Sequence, residues 1–151
     1  MNDLPGLHYE EFELNQVFVT PRRTVTETDV VMFAGLSGDY NPLHTDEVFA
    51  ETTPFKARIA HGLLSLSVLT GLIGKVGMLE GTTLAFLGLE WDFKGPVLFG
   101  DTIYGRLEVA FKRETSRPER GIVHFDCQIL NQRDDVVQQG VLKMMVRRKA
   151  N

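Results

Sequence analysis

Two short segments carry residue types that could do chemistry together. The first is Ser37-Gly38-Asp39-Tyr40-Asn41-Pro42-Leu43-His44, which sets a carboxylate and an imidazole five residues apart around a proline-fixed bend. A carboxylate and an imidazole that share one point can hold and deprotonate a water. The second is Ala60-His61-Gly62, at the start of a long apolar run. If that run is a helix, its first N–H groups are free and its positive end faces outward. Gly62 has no Cβ, so a ligand can approach the backbone there, and a carbonyl oxygen that becomes negative during reaction would be stabilised.

Each residue also has a plainer reading. Asp39 and Asn41 are common loop formers that bond their own backbone. His44 fits a structural histidine, His61 a cap or loop residue, and Thr70 a hydroxyl bonded back onto its own helix. A metal site built from Asp39, His44 and Asp46 would need a very tight loop, and Pro42 restricts it. Neither a cysteine set nor a His-x-x-x-His pair supports one. Ser37 lacks the surroundings of a nucleophile elbow. No metal is expected.

The elements that must position these residues follow from periodicity. Val17 to Val25 is rich in β-branched residues and reads as a first strand. Thr26 with Asp29 three residues on forms a short-armed capping box, and Val30, Val31, Phe33, Ala34 and Leu36 follow at helical spacing. Gly35 and Gly38 mark the end of that helix. Pro42 keeps Asn41 out of helical geometry, so residues 38–42 form a loop. Thr45-Asp46-Glu47 opens a short helix through Phe49 and Ala50, and Gly62 to about Met78 is the longest apolar helix.

The second half alternates with period two. Ala85 to Phe93 carries apolar residues at its odd positions, and Thr102–Lys112 and Ile122–Leu130 alternate likewise. Such strands have one buried and one wet face, as in an antiparallel sheet. Residues 116–121 and 131–135 read as hairpin loops. In Val136 to Val146 the alternation blurs, which fits a strand covered on both faces. One long apolar helix followed by about four long strands packs most economically as a curved sheet wrapped around the helix, an α+β arrangement. No linker or repeat divides residues 1–151, so the chain reads as one domain.

Composition narrows the function. Sixteen Lys and Arg against twenty Asp and Glu leave a net charge of −4, which argues against general nucleic-acid affinity. The single cysteine, Cys127, cannot form an intrachain disulfide and fits a reducing, cytoplasmic setting. The first residues show neither a secretory signal nor the character of a mitochondrial presequence. The apolar stretch Leu63–Leu79 is short for a membrane span and contains Lys75, so a buried helix is the better reading.

Taken together, Phe33 to His44 resembles the hydratase motif of the MaoC-like, (R)-specific enoyl-CoA hydratases. The likeness continues through Phe49-Ala50, Thr52-Thr53-Pro54-Phe55 and Ile59-Ala60-His61-Gly62-Leu63-Leu64. The Phe93–Thr102 segment is similar to the strand entry of these proteins. The resemblance implies a hotdog fold, a homodimer with the thioester along the subunit interface, and no metal or redox cofactor. It implies hydration of trans-2-enoyl-CoA to (R)-3-hydroxyacyl-CoA, or the reverse dehydration. Position by position, it gives Asp39 and His44 as the catalytic pair and Gly62 as the N–H donor to the thioester oxygen. Asn41 is a supporting residue, and Thr70 stands where relatives can carry a serine hydroxyl. Two other functions share the fold: a thioesterase, against which the Asp-x-Asn-Pro-x-His block speaks, and a non-catalytic acyl-thioester binder, against which the intact Asp39 and His44 speak.

Overall fold

The computed structural model describes residues 6–149. The chain starts with a 3-10 turn at Tyr9–Glu11 and two short strands, β1 (Val17–Val19) and β2 (Arg23–Thr24). The first strand expected from Val17 to Val25 is therefore broken, with Pro21 in the gap, where it has no N–H to donate to a ladder. Helix α1 (Glu27–Ser37) begins at the predicted capping box. Thr26 accepts from the Asp29 N–H and the Asp29 carboxylate accepts from the Thr26 N–H. It ends at Gly38, whose φ of 77° only glycine adopts without strain.

Between α1 and the long helix lie two short helices, α2 (Pro42–Thr45) and α3 (Glu47–Thr52). Periodicity foresaw the second but not the first. Asn41 caps α2 with its side chain and Pro42 fills the first helical position, where a missing N–H costs nothing. Arg58 fastens this segment to α1 by pairing with Glu47 at 2.6 Å and Glu27 at 2.5 Å, with its guanidinium over the Phe99 ring. Helix α4 (Gly62–Val76) ends on Gly77 in the left-handed conformation, two residues before the predicted limit.

Four long strands follow: β3 (Thr83–Phe93), β4 (Thr102–Glu114), β5 (Arg120–Leu130) and β6 (Val136–Arg147). The sheet order is β1-β4-β5-β6-β3, antiparallel throughout, with β2 also on β4. Leu64, Leu66, Val68, Leu69, Leu72 and Ile73 of α4 form one core with Ile103, Leu107, Val109, Val123, Phe125, Ile129 and Leu142 from the sheet. A curved antiparallel sheet around one long helix is the expected hotdog arrangement. In β6 no residue before Arg147 is exposed, as the blurred alternation suggests.

Strand β3 departs from expectation. Its odd positions were to be the buried face, yet Leu87, Leu89 and Phe93 are exposed, and so are Leu84 and Phe86 on the other register. Two causes are visible. β3 is an edge strand, whereas α4 packs on β4 and β5. Register shifts against β6 at Thr83/Ala85 and Phe86/Gly88 also break its two-residue alternation. Among the described residues no helix is long and apolar enough to cross a membrane.

Candidate active site

The loop after α1 is built by short-range hydrogen bonds. The Ser37 hydroxyl donates to the Phe33 carbonyl at 2.7 Å and accepts from the Asp39 N–H at 3.1 Å. One Asp39 carboxylate oxygen accepts from the Asn41 N–H at 3.1 Å, and Asn41 Oδ1 accepts from the Leu43 N–H at 3.0 Å. Asn41 is thus a local shaper, as its plainer reading held. Asp39 is exposed, and its second carboxylate oxygen has no hydrogen bond among the described residues.

His44, on α2, is half-buried. Its Nδ1 lies 2.7 Å from the Ile59 carbonyl. A carbonyl only accepts, so Nδ1 carries the proton, and in the neutral ring Nε2 keeps its lone pair. His61 is the N-cap residue of α4 but makes no cap hydrogen bond. Its Nε2 donates instead to the backbone carbonyl of Asp39 at 2.9 Å. The His61 ring stacks on His44 with centroids 3.8 Å apart and 28° between planes, and Phe33 packs on it at 4.9 Å. The loop, α2 and the start of α4 are thereby pinned together, and side-chain atoms of Asp39, His44 and His61 lie within 4.8 Å of one another.

That distance alone would admit a metal ion, but the ring geometry does not favour one. Imidazole lone pairs lie in the ring plane, so two stacked rings project them side by side rather than toward one point.

Helix α4 adds a backbone donor. The Gly62 N–H has no hydrogen bond among the described residues, as expected for the first residue of a helix. Its carbonyl accepts from Gln138 Nε2 at 3.0 Å, and Gln138 Oε1 accepts from the Trp91 indole N–H at 2.9 Å. A buried amide on β6 therefore ties the helix start to β3. A Cβ on Gly62 would sit 2.6 and 2.7 Å from two carbons of the Phe93 ring. The freedom at Gly62 is thus already used on one side by Phe93. His44, Gly62, Ser65, Phe93, Val97 and Gln138 all line a cavity of about 470 Å³ beside this cluster.

Thr70 is not brought to this site within one chain. It lies eight residues beyond Gly62, about 12 Å along the helix. Its hydroxyl donates to the Ser67 carbonyl, and its side chain lines a second, apolar cavity with Ile73, Phe86 and Leu142. Within one chain its hydroxyl is bonded back onto its own helix, as its plainer reading has it.

The arrangement can hold a water between a free carboxylate oxygen and an imidazole nitrogen, beside a cavity with a free N–H at its edge. The MaoC like domain model matches residues 11–126 of the sequence. The chain belongs to the MaoC-like family. Among curated relatives, an (R)-specific enoyl-CoA hydratase of Rhodospirillum rubrum is 39% identical over 103 residues, 68% of this chain and 70% of the relative. A 3-hydroxybutyryl-CoA dehydratase of Methylorubrum extorquens is 32% identical over 97% of this chain and 88% of the relative. The unliganded R-hydratase PhaJ1 of Pseudomonas aeruginosa superposes with a TM-score of 0.79 at 33% identity, covering 95% of this chain and 88% of that one.

In this MaoC-like chain His61 is a cap residue, as its plainer reading has it, but its ring also ties the Asp39 loop to α2, which spacing does not show. Two residues on the cavity wall carry no sequence signal: Ser65 sits among the leucines of α4, and Gln138 is one polar residue within a blurred strand.

Proposed function

We propose that this protein adds water to a trans-2-enoyl thioester of CoA to give the (R)-3-hydroxyacyl product, or runs the reverse dehydration. The reading is carried by the approach of Asp39 and His44 side-chain atoms within 4.8 Å, with one Asp39 carboxylate oxygen and His44 Nε2 left without a hydrogen bond among the described residues, beside a cavity of acyl-group size. Asp39 accepts a proton from the bound water as general base while His44 hydrogen-bonds that water and sets its direction. The water oxygen bonds to the β carbon and the π electrons move toward the thioester oxygen. A proton then returns to the α carbon from the same side, giving syn addition. The Gly62 N–H stabilises the enolate-like oxygen, a contribution of about 3 kcal/mol by analogy with other oxyanion donors. Every proton in this scheme moves between water, substrate and side chains, so no metal or redox cofactor takes part.

The working unit in this proposal is a homodimer. The apolar residues left exposed along edge strand β3 support it, since a second copy can pair with that edge and cover Leu87, Leu89 and Phe93.

The test is crotonyl-CoA hydration, followed by loss of the enoyl-thioester absorbance. Wild type is expected to turn over, and Asp39→Asn to fall by about 10²–10⁴-fold with an unchanged melting curve. A folded Asp39→Asn protein with wild-type turnover refutes the assignment.

A further inference from the structure

Ser65 is the best-hidden polar residue beside the site. It has 0% relative exposure, its hydroxyl has no hydrogen-bond partner, and it lines the cavity that holds His44 and Gly62. A buried hydroxyl without a partner destabilises the fold, because it has left water and gained nothing. Serine in a helix commonly donates back to the carbonyl four residues earlier, as Ser67 does to Leu63. Ser65 does not. Alanine would fit the same space without that cost, so a role within the cavity accounts for the hydroxyl better than a role in the fold does.

Gln138 stands on the same cavity wall, 2% exposed. Its amide donates one N–H to Gly62 and accepts once from Trp91. A second N–H and a second acceptor position remain unused. Ser65 and Gln138 therefore form a hydrogen-bonding patch on a wall that is otherwise mainly apolar, with Ile59, Leu63, Pro96 and Val97 around it. Ser65 is three residues beyond Gly62, so it shares that face of α4 and lies about 4.5 Å deeper along the axis.

We infer that Ser65 selects the acyl group: the cavity takes a short thioester whose chain carries a neutral oxygen near its fourth carbon, which the Ser65 hydroxyl and the Gln138 amide hydrogen-bond. The inference rests on the proposed placement of the thioester carbonyl at the Gly62 N–H. A chain running inward from that point along α4 comes alongside Ser65 at about its fourth carbon. The oxygen is neutral for an electrostatic reason. Among the described residues Lys94 is the only Lys or Arg on the cavity wall, and it is half exposed and paired with Asp92 at 3.4 Å. A carboxylate at the depth of Ser65 would be left without a counter-charge, which is costly. A plain hydrocarbon would leave the Ser65 hydroxyl unpaired in the complex, and a site built to hydrogen-bond an oxygen discriminates against the analogue that lacks it.

Two saturated probes test this without any turnover. 4-Oxopentanoyl-CoA and 4-methylpentanoyl-CoA share a skeleton and differ in a ketone oxygen for a methyl group. By isothermal titration calorimetry the oxo probe is expected to bind wild type about tenfold more tightly, the equivalent of one net hydrogen bond. Ser65→Ala is expected to erase that preference while the free protein melts at the same temperature or higher. Equal or tighter binding of the methyl probe to wild type overturns the inference. So does a preference that survives Ser65→Ala, or a lowered melting temperature that marks the hydroxyl as structural. The hydratase reading fails separately, in the crotonyl-CoA assay, whatever these probes show.

Discussion

Gly62→Ala gives a prediction whose sign depends on a single neighbour. The new methyl would lie 2.6 and 2.7 Å from two Phe93 ring carbons, about 1 Å inside ordinary contact. Overpacking of this kind costs roughly 1–3 kcal/mol. Phe93 is 55% exposed, so its ring can swing outward, which puts the cost near the lower end. Against it stands the gain from alanine in place of glycine at a helical backbone position, about 0.4–1 kcal/mol through the lost freedom of the unfolded chain. The clash wins by a small margin, and the melting midpoint should fall by about 1–4 °C for a domain of this size. In a Phe93→Ala background the ring is gone and only the helix term remains, so the same substitution should raise the midpoint by about 1–3 °C. The double-mutant cycle thus predicts a change of sign, with a coupling of about 1–2 kcal/mol. Crotonyl-CoA kinetics on the single variant should show a raised KM, because Phe93 lines the cavity next to Gly62. Equal effects of Gly62→Ala in both backgrounds would refute the packing argument.

Two further outcomes are expected. Burial pushes the Cys127 thiol up to about 12, so it should resist iodoacetamide at pH 8 in the folded protein and react on denaturation; rapid modification of the native state would contradict its place in the core. Glu11 accepts hydrogen bonds from Lys149 and from the His8 backbone, and these hold its carboxyl down at about 2. A group with a depressed folded value stabilises above its unfolded value and loses that contribution as pH falls. The difference in melting midpoint between wild type and Glu11→Gln should therefore be full at pH 6 and shrink between about 4.5 and 2; a difference that grows on acidification would reverse the sign argued here.

Much of the site was legible because its construction is local. The capping box of Thr26 and Asp29, the Gly38 stop, and the chain of bonds from Ser37 through Asp39 and Asn41 to Leu43 each join residues no more than four apart. Such contacts follow from residue type and spacing, so the Asp39–His44 loop and both ends of α1 could be read directly. Short-range patterns also hid things: the serine of Ser65 reads like any small helix residue, and β3 alternates as though it were half-buried.

The remaining features join distant parts of the chain. His61 reaches the Asp39 carbonyl 22 residues away, and Gln138 reaches Gly62 across 76. Neither partner can be chosen before the sheet order places β6 and β3 beside the start of α4. The same geometry puts Thr70 in a different cavity from Gly62, because eight helical residues carry it about 12 Å onward. It leaves β3 at the edge, where α4, packed on β4 and β5, covers little of it. Residue types and local spacing thus specified most of the elements, the caps of α1 and the loop that carries Asp39 and His44. The partners of His61, the fixing of Gly62 and the lining of the cavity depended on how a curved sheet brings remote strands against one helix, which no local pattern encodes.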